Sequence, residues 1–196
     1  MAKKSVSLVT QNIWVGGILA IIILLLFLRS WQSTIVISIS IPISIVAAFV
    51  AMSLLCMALH DVGVAADSFT GSQAGFLTDS NHQNAKIIEV KPDRIEMALS
   101  ENRVPVVGGS QGVSVDNNVT FLGRGGSDTT AVALAHAVKA DACELYTDVT
   151  GVFTTDPRLV PTARLMSNVS FDELLEMTAT GCPKPAMRSV EYARTH

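Results

Sequence analysis

The sequence predicts an α/β fold with a mainly parallel sheet, preceded by an α-helical transmembrane hairpin. Three observations predict it. Residues 5–58 contain a single charged residue, Arg29, whereas residues 61–196 hold 17 acidic and 11 basic residues. Between residues 85 and 149, apolar runs of strand length alternate with apolar patterns of helical spacing. The junctions between them carry glycine-rich turns, GGSQG at 108–112 and RGGSD at 124–128.

The hairpin comes first in the chain. Residues 13–28 and 34–59 are free of charge and mostly apolar. A spanning helix needs about 20 apolar residues, so the second segment is ample and the first suffices with its flanks. Arg29 and Trp31 lie between them, where a snorkelling cation and an interfacial aromatic ring belong. Pro42 within the second segment is tolerated in a membrane helix. The expected arrangement makes the lipid bilayer a partner through residues 13–59, with both ends of the hairpin on one side and the remainder cytoplasmic. A cleaved signal peptide is the competing reading. The length of the apolar run and the lack of a small-residue cleavage site argue against it.

The α/β elements come next. Residues 85–90 (AKIIEV) read as a strand. Residues 92–102 open with Pro92 at a first helical turn and place Ile95, Ala98 and Leu99 at helical spacing. Residues 104–109 (VPVVGG) read as a second strand, and the strand–helix–strand succession implies parallel pairing. The pattern repeats, with a strand at 118–123, the RGGSD turn, a helix over 129–140 and a strand over 142–149. Repeated units of this kind argue for a parallel sheet covered on both faces. Two helices, about 170–180 and 187–195, complete the chain; Ser170 and Glu173 form a capping-box pattern at the start of the first.

Composition excludes several functions. Residues 61–196 sum to −6, which leaves no basic face for nucleic acid. Cys56, Cys143 and Cys182 are far apart with no C-x-x-C, and the four histidines are scattered, so no metal-ligating set is expected.

RGGSD carries the candidate chemistry. It is expected beyond the carboxyl end of a strand and at a helix N-terminus, where free backbone N–H groups attract an anion. Gly125 and Gly126 allow close backbone approach, and Arg124 offers a planar fork for a carboxylate. Ser127 or Asp128 can cap the helix, and Asp128 can instead hold an ammonium group. The alternative is a glycine turn with an ordinary helix cap. The loop TDVTGVFTTDPR (147–158) favours the functional reading, because it brings Thr147, Asp148, Asp156 and Arg158 from a second strand end.

The segments FTGSQAGFLTD, GGSQGV, LGRGGSDTTAVALA, ELYTDVTGVFTTDPRLVPTARLM and MRSVEYAR together resemble the kinase domain of aspartokinases, from about residue 53 to 196. The resemblance implies a three-layer α/β/α amino-acid-kinase fold. It also implies transfer of phosphate from MgATP to the side-chain carboxylate of L-aspartate, at the head of lysine, threonine and methionine synthesis, in a family whose members oligomerise. Carried over by position, Arg124, Gly125, Gly126 and Ser127 hold aspartate and face the phosphates, Arg124 and Asp128 serve catalysis, and Ser127, Thr147, Asp148, Val149, Gly151, Phe153, Thr154, Asp156 and Arg158 bind the nucleotide. Phe153 stands where the family usually has Tyr, and Thr150 where it often has Asp.

Residues 10–55 resemble two membrane helices of resistance-nodulation-division efflux permeases, which divides the chain into a hairpin at 1–55 and a partial kinase domain at 56–196. The family's lysine-bearing K-F/Y-G-G-T/S-S strand and its T-A-G-E loop do not occur here, and its G-A/S-K-V/I-L segment reads Gly181-Cys182-Pro183-Lys184-Pro185. These departures imply an inactive kinase domain. Two alternatives accompany that reading, a fragment of an efflux-type transporter and a non-functional chimera.

Overall fold

The computed structural model describes residues 48–196. The chain divides into two compact units, Met1–Ala51 and Met52–His196, and the strands all lie in the second. Most of the expected hairpin, residues 13–47, lies outside the described residues. Its end, residues 48–59, falls within helix α1 (residues 48–61). No helix among the described residues is long and apolar enough to cross a membrane.

Helix α1 buries Cys56 and leaves Leu54, Leu55 and Met57 exposed. Its last turn is tied to the first strand by the Ala66 N–H, which donates to His60 Nε2 at 3.0 Å. Strand β1 (Ala66–Phe69) then pairs in parallel with β4 (Val104–Val107), in register from Ala66 opposite Val104 to Phe69 opposite Val107. Pro105 is accommodated because this sheet has two strands, so a missing N–H costs no central ladder bond.

The second sheet has the order β3-β2-β5-β6. Strand β2 (Phe76–Thr78) pairs antiparallel with β3 (Ile87–Val90) and parallel with β5 (Gln111–Ser114), while β5 pairs antiparallel with β6 (Val119–Phe121). The β5–β6 hairpin turns at Asn117, whose φ of 60° suits asparagine in a tight turn. Under the sheet, the buried Thr78 and Thr120 hydroxyls satisfy one another at 2.5 Å.

Two expectations are corrected. The strands at 85–90 and 104–109 do form, but in different sheets: β3 turns back onto β2 and β4 pairs with β1. The parallel pairing expected between them is therefore absent, and the pairings split into two parallel and two antiparallel. Residues 142–149 are not a strand; they are exposed, with Tyr146 at 92% and Val149 at 46% of full accessibility. A strand forms only where a neighbour takes its N–H and C=O groups, and no described strand lies against this segment. Strands β1, β2 and β5 had no counterpart in the sequence reading.

The helices match more closely. They are α2 (Asp93–Ser100), α3 (Gly126–Ala137), α4 (Phe171–Ala179) and α5 (Met187–Thr195). Asn102, two residues after α2, and Lys139, two residues after α3, each take positive φ and turn the chain away from the helix. The capping box of α4 is formed: the Glu173 N–H donates to Ser170 Oγ at 3.3 Å, and the Ser170 N–H donates to Glu173 Oε2 at 2.9 Å. Phe69, Ala74, Phe76, Ile95, Ala98 and Ala133 form the core, which joins both sheets to α2 and α3.

Candidate functional site

The site is assembled at the N-terminus of α3. Gly125 is its N-cap, in the left-handed conformation at φ 72°, and no side chain caps the helix. The expected capping by Ser127 or Asp128 is thus corrected: the turn is closed by backbone conformation, which only glycine adopts without strain. The N–H groups of Ser127 and Asp128 meet no acceptor among the described residues. The first turn therefore presents free donors at the positive end of the helix dipole.

Two glycine loops close around this point. After β4, Gly109 lies so near that a Cβ there would be 3.1 Å from Ser127 Cβ. Likewise a Cβ on Gly126 would be 2.7 Å from Ser110 Oγ. The Ser110 N–H donates to Thr130 Oγ1 at 3.0 Å, and that hydroxyl donates to the Gly126 carbonyl at 2.8 Å. After β1, Gly71 packs against Gln111, where a Cβ would be 2.2 Å from the carbonyl oxygen. The carboxyl ends of the parallel pair β1–β4 and the start of α3 thus meet, where open parallel sheets place ligands. The sequence reading placed RGGSD after a strand of that same sheet. It does follow the expected 118–123 strand, but that strand (β6) pairs antiparallel in the other sheet, and the loop after β4 brings the two together.

Arg124 is exposed and makes no hydrogen bond or ion pair among the described residues, so its fork is available to an anion. Asp128 is half-buried and engaged: its Oδ2 accepts from the Ala186 N–H at 2.9 Å. A Cβ on Gly125 would lie 2.3 Å from Ala186 Cβ, so Ala186 packs directly on the glycine turn. Lys184 is exposed, two residues before this contact.

The 147–158 loop is built differently. Thr147 Oγ1 donates to Asp148 Oδ1 at 3.0 Å, and Asp148, Val149 and Gly151 are exposed. Phe153 forms a bridge to Leu165, and the Thr154 N–H donates to the Arg164 carbonyl at 2.9 Å. Arg158 donates to Asp156 through Nε at 3.1 Å and Nη2 at 2.8 Å, which holds that carboxyl below its ordinary range. The loop faces a cleft of about 400 Å³ lined by Thr154, Met166, Glu173, Glu176, Met177 and Thr180. Hydrogen bonding to Ser170 holds Glu173 below the usual carboxylate range, so the cleft wall is anionic at neutral pH.

The structure therefore brings Arg124, Gly125, Gly126, Ser127 and Asp128 together. It does not join them to Thr147, Asp148, Val149, Gly151, Phe153, Thr154, Asp156 and Arg158; among the described residues, no hydrogen bond or ion pair links the two groups. The α3 start fits an anion, because its donors are free. Of the 147–158 loop, Thr154 lines the acidic cleft. No group of three or more His, Cys, Asp or Glu side chains among the described residues is placed to hold a metal. Sequence reasoning missed Ser110, Ala186 and Arg188, whose contacts with the turn span 16 to 66 residues. The signals available were the GGSQG loop, which contains Ser110, and the MRSVEYAR segment, which contains Arg188.

Comparison with known proteins agrees with this geometry. The profile of the amino acid kinase family matches residues 30–194, and the chain belongs to that family. The match begins inside the stretch likened to permease helices. The chain is 57% identical over 145 residues to the aspartokinase of Mycolicibacterium smegmatis, covering 74% of this chain and 34% of that one. It is 54% identical over 143 residues to the aspartokinase of Corynebacterium glutamicum, covering 72% and 34%. Among solved structures it is similar to the aspartate kinase from Synechocystis (TM-score 0.62, 46% identity, 74% of this chain and 23% of that one). It is also similar to E. coli aspartokinase III in complex with aspartate and ADP (TM-score 0.65, 29% identity, 74% and 33%). The chain spans about a third of the length of the curated relatives it matches.

Proposed function

We propose that this chain carries the amino-acid-binding part of an aspartate kinase, a domain that phosphorylates the side-chain carboxylate of L-aspartate with ATP. The observation that carries the reading is the uncapped start of α3, with free N–H groups at Ser127 and Asp128 beside an unpaired Arg124. The identity to aspartokinases over the same residues supports it.

In this reading a carboxylate of aspartate docks on the Arg124 fork, and the α3 donors face the phosphate to be transferred. Gly125 and Gly126 let Ala186 and Ser110 pack against the turn and so fix the direction of its donors. Asp128, held by Ala186, orients the first turn and stands close enough to the donors to meet the substrate ammonium group. Magnesium enters with the nucleotide and supplies charge neutralisation on the phosphates; no step is assigned to residues of this chain through it. Phosphoryl transfer rests on positioning and on stabilising charge. The family's lysine-bearing glycine motif does not occur in these 196 residues, and no hydrogen bond or ion pair among the described residues links the 147–158 loop to the cradle. The chain alone is accordingly read as a binding half-site without turnover above background.

Calorimetry with L-aspartate on the full chain tests the binding reading, with Arg124→Ala expected to abolish the signal. A hydroxamate-trapping assay with MgATP and aspartate tests turnover. Product formation that disappears in Asp128→Ala overturns the half-site reading, and no aspartate binding to the wild-type chain overturns the assignment itself.

A further inference from the structure

We propose that Arg188 is a positioning residue for the glycine turn, fixing Leu122–Asp128 so that the α3 donors point into the site. The functional side of this proposal rests on the reading above.

Arg188 lies in α5, half-buried, and reaches across more than 60 residues of chain. Its Nη1 donates to Asn84 Oδ1 at 2.8 Å and to the Leu122 carbonyl, and its Nη2 donates to the Ala85 carbonyl at 2.7 Å. All three acceptors are neutral, and Arg188 forms no ion pair among the described residues. Leu122 is fully buried, and the Ser110 carbonyl accepts its N–H at 2.9 Å. Both peptide groups of the last residue before the turn are thus spoken for, one by the loop after β4 and one by Arg188. The next residues, Gly123 at φ 78° and Gly125 at φ 72°, have no side chain to limit them. Without an anchor at Leu122 such a turn has many accessible conformations.

A second tie from the same segment completes the arrangement. Two residues before Arg188, the Ala186 N–H holds Asp128 at the far end of the turn. The start of α5 therefore clamps the glycine turn at both ends. A guanidinium is suited to this because its fork serves several acceptors in one plane, which an ammonium group does not. Its uncompensated positive charge also lies behind donors that are read here as anion-binding.

The experiment is hydrogen–deuterium exchange on the full chain, comparing wild type, Arg188→Ala, Arg188→Lys and Arg194→Ala. Arg194 is the control on the same helix, paired at the surface with Asp172 at 2.9 Å. Arg188→Ala is expected to speed exchange at Leu122, Gly126 and Thr129, whose N–H groups are bonded at the turn, about tenfold or more, with residues 66–69 and 104–107 changed by less than about twofold. Arg188→Lys should recover little of this protection, and Arg194→Ala should leave it intact. Aspartate affinity should fall about tenfold in both Arg188 variants. The proposal is overturned if exchange at Leu122, Gly126 and Thr129 is unchanged in Arg188→Ala, if it rises equally in β1 and β4, or if lysine restores it. Should Arg188→Ala fail to fold, Arg188→Lys decides by the same measure. If the wild-type chain does not bind aspartate, the functional reading fails, while exchange at Leu122, Gly126 and Thr129 still decides the role of Arg188.

Discussion

The turn at 124–128 and the loop at 147–158 are both polar, glycine-bearing segments from the same family signature, yet the structure treats them oppositely. The turn is packed: a Cβ at Gly125 or Gly126 would lie within 3 Å of Ala186 or Ser110, and Asp128 is tied to a residue 58 positions away. The loop is held over short spans, Thr147 to Asp148 and Arg158 to Asp156 over one or two residues and Thr154 to Arg164 over ten. A segment held from outside has a geometry that a ligand can rely on. A segment held only by its neighbours can be rearranged at little cost. Readiness to bind therefore differs between two stretches that look equally convincing in sequence.

The largest expected effect breaks this comparison at its packed end. Gly125→Ala forces a left-handed alanine and places its Cβ 2.3 Å from Ala186 Cβ. Strain and overpacking together should cost about 3 kcal/mol, read as a fall in the urea midpoint. Gly151→Ala is the matched change in the loop. There the new Cβ meets only the Leu165 Cδ1 atom at 2.8 Å, the end of an exposed side chain, although φ is 146°. The expected cost is about 1 kcal/mol. Equal losses at the two glycines would remove the distinction between them.

Asp128→Ala comes next. It strips the Ala186 N–H of its acceptor and should cost about 1–2 kcal/mol. A melt unchanged from wild type would mean that α5 does not hold the turn.

Legibility in the sequence divides along the same line between local and distant causes. Helices α2, α3, α4 and α5 were legible because their determinants lie within a few residues: apolar spacing at Ile95 and Ala98, the Ser170–Glu173 box, and the glycines before α3. Strand pairing was not, because β3 finds β2 and β4 finds β1 through the tertiary fold. Residues 142–149 have strand composition but no described neighbour to pair with. The cradle was legible as a motif, since RGGSD carries its own glycines and arginine. Its support was not, since Arg188 and Ala186 act from the far end of the chain.

Ser170→Ala probes a third kind of support, local but structured. Loss of the N-cap should cost about 1 kcal/mol. Hydrogen bonds from Ser170 hold Glu173 below the ordinary carboxylate range. A depressed folded value means the contribution is complete above the unfolded carboxylate range and is lost as pH falls through the folded one. Wild type and Ser170→Ala should therefore differ at neutral pH and converge toward acid. A constant gap from neutral to acid pH would show that the carboxylate has no part in the cap.

The smallest effect is expected at Asp156, and it tests whether the loop is as self-contained as its bonds imply. Arg158 holds the Asp156 carboxyl below its ordinary range, chiefly through side-chain hydrogen bonds and then through its backbone N–H. By the same sign rule, the pair supports the folded loop at neutral pH and ceases to do so as the carboxyl protonates. The pair is exposed, however, so solvent and salt screen it, and such pairs contribute little to global stability. Arg158→Ala should leave the thermal midpoint of the full chain at its wild-type value at pH 7. It should nevertheless move the Asp156 titration, followed by carboxyl NMR, back up toward the ordinary range. A raised titration with an unchanged midpoint is the signature of a loop whose order is its own. If the midpoint falls as well, the loop is coupled to the packed domain, and the contrast with the glycine turn is one of degree.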